Sequence, residues 1–262
     1  MNTFARYTIP LLKARQVIKD LRIEEPSEIE VDAISAFYKA PVRYEKMKGC
    51  DGRMVRTGEC GIITVCDSIS YEGQKRFVIA HELGHFLLHP QIRQIDEVNI
   101  SQMQDWSTKQ AAEEIEANLF AAELLMPDRF FELDLKGKRP SFELISELAT
   151  KFRTTLTAAA IQFIKYTTEE CALVASIDLQ RKWYVTSASF EFWLRDESRI
   201  HPFTCAAEML KHKRDRGTAK NVVAGAWLKD YDVDSKEYIT EDSRLSKNSR
   251  MVLSLIWIHA AI

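Results

Sequence analysis

The 262-residue sequence predicts an α+β protein: a small antiparallel sheet leading into an apolar helix, then a helical segment, then a small α+β C-terminal domain. Three observations carry this. The runs "PVRYEKM", "GRMVR" and "GIITV" are short, β-branched or alternating, and separated by glycine turns, as strands of one sheet are. Long apolar stretches with helical spacing, bounded by prolines, follow them. From about Glu170 the strand-like runs return as "CALVASI", "RKWYVTS", "NVVAGAWL" and "MVLSLIWI". The implied organisation is residues 1–127, a helical segment over 128–168, and a C-terminal domain over 169–262.

Each element has its local reason. "PSEIEVDAISAFYKA" is expected to be a helix started by Pro26, capped by Ser27 and boxed by Glu30. "RFVIAHELGHFLLHP" continues as a helix until Pro90, which cannot extend it. "QIRQIDEVNISQMQDW" reads as a polar connector. A second long helix, "STKQAAEEIEANLFAAELLM", carries a capping signal in Ser107 and Gln110 and ends before Pro127. "RPSFELISELATKFRTTLTAAAIQFIKYT" reads as two short helices with a tight connection, the cadence of a helix-turn-helix.

Composition excludes several classes. Apolar residues make up 46% and charged residues 28%, the range of a soluble globular protein, and a net charge of −2 gives no global attraction to nucleic acid or an acidic membrane. Cys50, Cys60, Cys66, Cys171 and Cys205 are odd in number and lack a C-x-x-C spacing, against a disulfide framework or a cysteine zinc ribbon. The first twenty residues have no apolar signal core, and the apolar tail is too short to span a bilayer. The expectation is a reduced cytoplasmic protein with no membrane partner.

The stretch around His81 raises the functional question. Residues four apart share a helix face, so His81 and His85 can aim their imidazoles at one point, with Glu82 beside them. This H-E-x-x-H spacing suits Zn2+ held by the two histidines, with the glutamate as general base. Phe77, Val78, Ile79, Leu83, Phe86, Leu87 and Leu88 surround it on nearly all sides, so the polar groups are buried and require partners, which a metal supplies. Gly84 costs the helix about 1 kcal/mol relative to alanine, a sign of close approach by another segment.

A catalytic zinc site needs a third protein ligand. Leu88 and Gln91 stand where a metzincin has glycine and histidine, and His89 lies two turns from His81, better placed to cap the helix C-terminus. Of the carboxylates in "AAEEIEANLF", Glu116 shares a stripe with Lys109 and Glu123 that reads as solvated, and Glu113 is ambiguous. Glu114 shares its stripe with Ala117, Asn118, Ala121 and Leu125, an inward face of small residues, and is the expected ligand. Asn118, one turn on, is placed to orient a liganding histidine or Glu114. One Zn2+ per chain is expected, although Mn2+ and Fe2+ also suit such ligands. Tyr71 and His89 are candidates for oxyanion stabilisation, and "GIITV" for pairing with an extended substrate.

Three stretches resemble the ImmA/IrrE family of zinc metallo-endopeptidases: "CDGRMVRTGECGIITVCDSISYEGQKRFVIAHELGHFLLH", "EEIEANLFAAELLMP" and "SFELISELATKFRTTLTAAAIQFI", together most of the first 165 residues. The resemblance implies a zincin-like metallopeptidase domain with His81, His85 and Glu114 as ligands and Glu82 as catalytic base. It further implies a protein substrate, a helix-turn-helix repressor whose cleavage switches on phage, mobile-element or stress genes. The competing reading is a DNA-binding or metal-sensing regulator that uses the helix-turn-helix-like segment, with Lys151, Arg153 and Lys165, and performs no proteolysis. "KHKRDRG" reads as a solvated loop, and Trp183, Trp193, Trp227 and Trp257 as packing residues of the C-terminal domain.

Overall fold

The computed structural model describes residues 8–91, 94–98, 112–212, 219–234, 236–245 and 251–258. The described residues form a mixed α+β structure with eight α-helices and two sheets. The chain divides into two compact units, Met1–Asp134 with Leu148–Ala159, and Leu135–Glu147 with Ala160–Ile262.

The first unit begins with α1 (Thr8–Asp20), a helix absent from the sequence expectations although Ala14, Val17 and Ile18 recur on its buried face. The helix expected from Pro26 is broken in two: a single 3-10 turn, Pro26–Glu28, then α2 (Val31–Phe37). Ser27 does not cap it. The Glu28 carboxylate instead reaches back to accept from the backbone N–H groups of Glu24 and Glu25 at 2.6 and 3.2 Å. Ile29 interrupts the helix because its side chain is fully buried and its carbonyl accepts from Arg76 at 2.7 Å and Arg153 at 3.2 Å.

Four strands follow in the order β1-β3-β2-β4: β1 (Val42–Glu45), β2 (Gly52–Thr57), β3 (Cys60–Cys66) and β4 (Gln94–Val98). The expected antiparallel sheet is in fact mixed. β2 and β3 form a hairpin through Gly58 and Glu59, so β1 takes the other edge of β3 and runs parallel to it. β4, inside the expected connector, pairs antiparallel with β2. "QIDEV" has too little apolar alternation to announce a strand, and backbone pairing with β2 decides it. Both edges of β3 are therefore occupied, which removes "GIITV" as a free edge for an added substrate strand.

α3 (Glu72–Leu88) lies against this sheet and is buried on nearly every side. α4 is described over Ala112–Leu125, and the expected cap at Ser107 and Gln110 lies outside the described residues. α5 (Asp128–Leu135) starts just after Pro127. The expectation that Glu123 lies on a solvated face is wrong: it is fully buried, accepting from Arg15 of α1 at 2.8 Å and from the Asp128 N–H at 3.4 Å. A helix a hundred residues earlier covers that face, which no local stripe reveals. α6 (Phe142–Lys151) and α7 (Leu156–Tyr166) are the two short helices, and the division between the units passes through both.

The second unit is an antiparallel five-stranded sheet, β6-β5-β9-β8-β7, built from β5 (Cys171–Ile177), β6 (Gln180–Thr186), β7 (Lys220–Val223), β8 (Tyr238–Leu245) and β9 (Met251–Trp257), with α8 (Cys205–His212). β8 escapes sequence reading because "YITEDSRL" is polar, yet Thr240, Glu241, Asp242 and Ser243 are all buried. Neighbouring residues of a strand face opposite sides of the sheet. Glu241 accepts 2.8 Å bonds from the Cys205 and Ala206 N–H groups at the start of α8 and from the Trp227 indole, while Asp242 accepts from the Phe142 N–H at the start of α6. Trp183, Trp227 and Trp257 are buried, but Trp193 is 72% exposed and is not a core residue. A cleft of about 550 Å³ in this unit is lined by residues such as Leu179, Arg199 and Lys211, without a tryptophan.

Candidate metal centre

α3 brings its three ionisable groups to the middle of the first unit because its neighbours on both sides lack bulk. On the sheet side, a Cβ on Gly52 of β2 would stand 2.4 Å from Val78 Cγ1 and 2.9 Å from Glu82 Oε1, so the bare glycine makes the space in which the Glu82 carboxylate sits. On the other side, a Cβ on Gly84 would stand 3.0 Å from the Phe120 ring and 3.2 Å from Ala117 Cα of α4. The close approach anticipated from Gly84 is thus made by α4, whose Ala117, Asn118, Ala121 and Leu125 are buried as the inward stripe required.

That approach delivers Glu114. The His81 and His85 Nε2 atoms are 2.9 Å apart, and each lies 3.3 Å from one Glu114 carboxylate oxygen. The ligand atoms of His81, His85 and Glu114 all fall within 4.8 Å of one another. A tetrahedral ion with bonds of about 2.0 Å has its ligand atoms about 3.3 Å apart, so the spacing fits a single cation. The chemistry of the donors fits as well. Both imidazoles are fully buried, and burial, the largest influence on His85, holds its pKa below the usual value and favours the neutral, metal-binding form. Burial pushes the Glu114 carboxyl upward, but the adjoining His81 and His85 rings outweigh it and hold the group below the usual carboxylate range. Glu114 is the one member with an open side, its side chain 35% exposed.

The surrounding groups are specific. Asn118 Oδ1 lies 2.9 Å from His81 Nδ1, so Asn118 engages one of the two histidines. An amide oxygen accepts, which places the proton on Nδ1 and leaves the Nε2 lone pair facing Glu114 and His85. Both Glu82 oxygens are buried with no hydrogen-bond partner among the described residues, and burial, reinforced by the nearby Glu114, raises its pKa well above the ordinary carboxylate value. A buried carboxylate without a partner is costly in a purely structural helix and marks Glu82 as a candidate functional group.

The other candidates are sorted by position. Tyr71 stands at the N-terminus of α3, ten residues before His81, where its hydroxyl donates to the Thr154 carbonyl at 3.0 Å. It is remote from the ligand atoms. Glu113 is exposed, whereas Glu116, expected on the solvated face, is half-buried with a carboxylate oxygen 3.7 Å from His89 Nε2. Gly52 was not found by sequence reasoning, because a glycine at a strand start gives no signal of what it faces.

Two histidines one turn apart and a second-helix carboxylate form a cluster that could hold a divalent metal, with Glu82 beside it. Residues 38–163 match the family described as Peptidase_M78, IrrE N-terminal-like domain. This match supports, for that part of the chain, the resemblance to the ImmA/IrrE family that its motifs carry. Among solved structures the chain is similar to a Mycobacterium tuberculosis transcriptional regulator, with a TM-score of 0.63 and 13% identity over 96% of this chain and 77% of that one. At this identity the likeness is one of fold. No curated protein matches the chain. Among the described residues no helix is long and apolar enough to cross a membrane.

Proposed function

We propose that the protein is a cytoplasmic zinc-dependent endopeptidase in which His81, His85 and Glu114 hold one Zn2+ and Glu82 is the general base. The convergence of three ligand atoms within 4.8 Å beside the unpartnered Glu82 carboxylate carries this reading. When bound, the ion supplies Lewis acidity toward water and the scissile carbonyl; Mn2+ or Fe2+ is chemically acceptable to the same ligands. The chain supplies the rest. Asn118 holds the His81 tautomer, and burial keeps His85 neutral. Glu82, beside the ligand atoms and raised in pKa by burial, takes the proton of the attacking water and returns it to the leaving amine.

The substrate is a protein, and the family resemblance points to a helix-turn-helix repressor. The competing DNA-binding reading finds little support in α6 and α7. Lys151 is paired with Asp134 at 2.7 Å and Arg153 with Glu30 at 2.8 Å, and residues 159–164 of α7, the second helix, are all buried. Glu82→Gln tests the proposal: zinc content is expected to stay at one per chain while cleavage of the co-incubated repressor falls by about 10²-fold or more. Unimpaired cleavage by Glu82→Gln, or wild-type cleavage that survives a chelator, refutes it.

A further inference from the structure

His89 is the third histidine of α3's register and is buried, although the three-ligand site does not use it. It occupies the C-cap position of α3, its backbone N–H bonding the His85 carbonyl at 3.0 Å, but its ring does not turn back onto its own helix end. The imidazole crosses to α4 instead. Its Nε2 lies 3.3 Å from the Glu113 carbonyl oxygen and 3.7 Å from Glu116 Oε2, while its ring packs 5.5 Å from that of His85. Glu113 immediately precedes Glu114, and Glu116 lies two residues after it. One side chain at the end of α3 therefore meets α4 on both sides of the expected ligand.

We propose that His89 is a positioning residue for the metal centre: its Nε2–H, donated to the Glu113 carbonyl and directed toward Glu116, fixes the turn that presents Glu114 to His81 and His85. This rests on the metal reading given above. The need for such a contact lies in the residues around Glu114. Below Glu114, α4 is held to α3 by the close packing of Ala117 and Phe120 on Gly84, whereas the turn bearing Glu114 itself is exposed or half-buried. His89 supplies the missing constraint from the same helix that carries both histidine ligands. A shift of a few tenths of an ångström at Glu114 is enough to matter, because metal–ligand distances tolerate about 0.2 Å.

The test is a double-mutant cycle read as Zn2+ affinity by chelator competition on folded, metal-free protein. It uses wild type, His89→Ala, Glu114→Ala, the double variant and His89→Gln. Loss of a partner that orients a ligand typically weakens metal binding by about 10- to 100-fold, and His89→Ala is expected to fall in that range. If His89 acts through Glu114, its removal adds little in the Glu114→Ala background. His89→Gln, whose amide nitrogen can donate near the position of Nε2 but is a poor zinc ligand, is expected to recover most of the affinity. Co2+-loaded His89→Ala is expected to show an altered visible spectrum. Full additivity of the two alanine substitutions, wild-type affinity in His89→Ala, or failure of His89→Gln to recover binding each overturns the inference. Failure of the metal reading itself looks different: wild type then binds no stoichiometric zinc, or Glu114→Ala binds as tightly as wild type.

Discussion

Replacing Gly84 by alanine sets two effects of similar size against each other, and the structure decides between them. In an isolated helix the change is favourable by about 1 kcal/mol, because alanine loses less backbone freedom. Here the added methyl would lie 3.0 Å from Phe120 Cδ1, 3.2 Å from Ala117 Cα and 3.3 Å from Ala117 O. Carbon–carbon contacts are comfortable at about 3.5–4.0 Å, so α3 and α4 must separate by roughly 0.3–0.5 Å or the buried Phe120 ring must turn. Overpacking of this kind costs about 1–3 kcal/mol, so the net expectation is a destabilisation of about 1 kcal/mol, seen as a fall in Tm of a few degrees. The second consequence is chemical. Gly84 adjoins His85, and Ala117 lies one turn from Glu114, so the separation opens the ligand triangle by more than a zinc site tolerates. Zinc affinity is expected to drop about tenfold, measured by chelator competition beside thermal unfolding of the metal-free protein. A Gly84→Ala protein that melts higher than wild type and binds zinc equally well would refute the close approach as the cause of the site's geometry.

Two further outcomes follow from buried ionisable groups. Because burial depresses the His85 pKa, the unfolded chain takes up a proton near pH 6.5 that the folded chain resists, so stability is present above that pH and lost as pH falls through it. The Tm of metal-free protein should therefore decline below about pH 6.5, and His85→Leu should flatten that limb; an equally steep decline in the variant would count against His85 as its source. In the second unit, Glu241→Ala strands two helix N–H groups and the Trp227 indole, a loss of about 3 kcal/mol or more, whereas Glu241→Gln keeps an acceptor and is milder. Denaturant titration resolves the two, and equal stability of both variants would mean that Glu241 is not the anchor of α8.

Much of the centre is legible along the chain. The i, i+4 spacing of His81 and His85 follows from helical periodicity alone, and the small inward stripe of Ala117, Asn118 and Ala121 singles out Glu114 from its acidic neighbours. The same reasoning misjudged Glu123, Ser27 and Trp193, and it missed β4 and β8 altogether. For three of these the deciding partner lies elsewhere: Arg15 for Glu123, Arg76 and Arg153 for the break at Ile29, and the helix starts at Cys205 and Phe142 for the acidic pair of β8.

What local sequence determines here is periodic: which side chains share a face, where prolines stop a helix, and which residue types can bind a metal. Tertiary structure decided the rest, namely that β1 runs parallel to β3, that Asn118 bonds His81, that Gly52 makes room for Glu82, and that His89 reaches across to the turn of Glu114. The physical reason is range. Helical and strand periodicities act over a few residues, whereas a buried carboxylate or imidazole is satisfied by whichever group packing brings within about 3 Å, however distant in the chain.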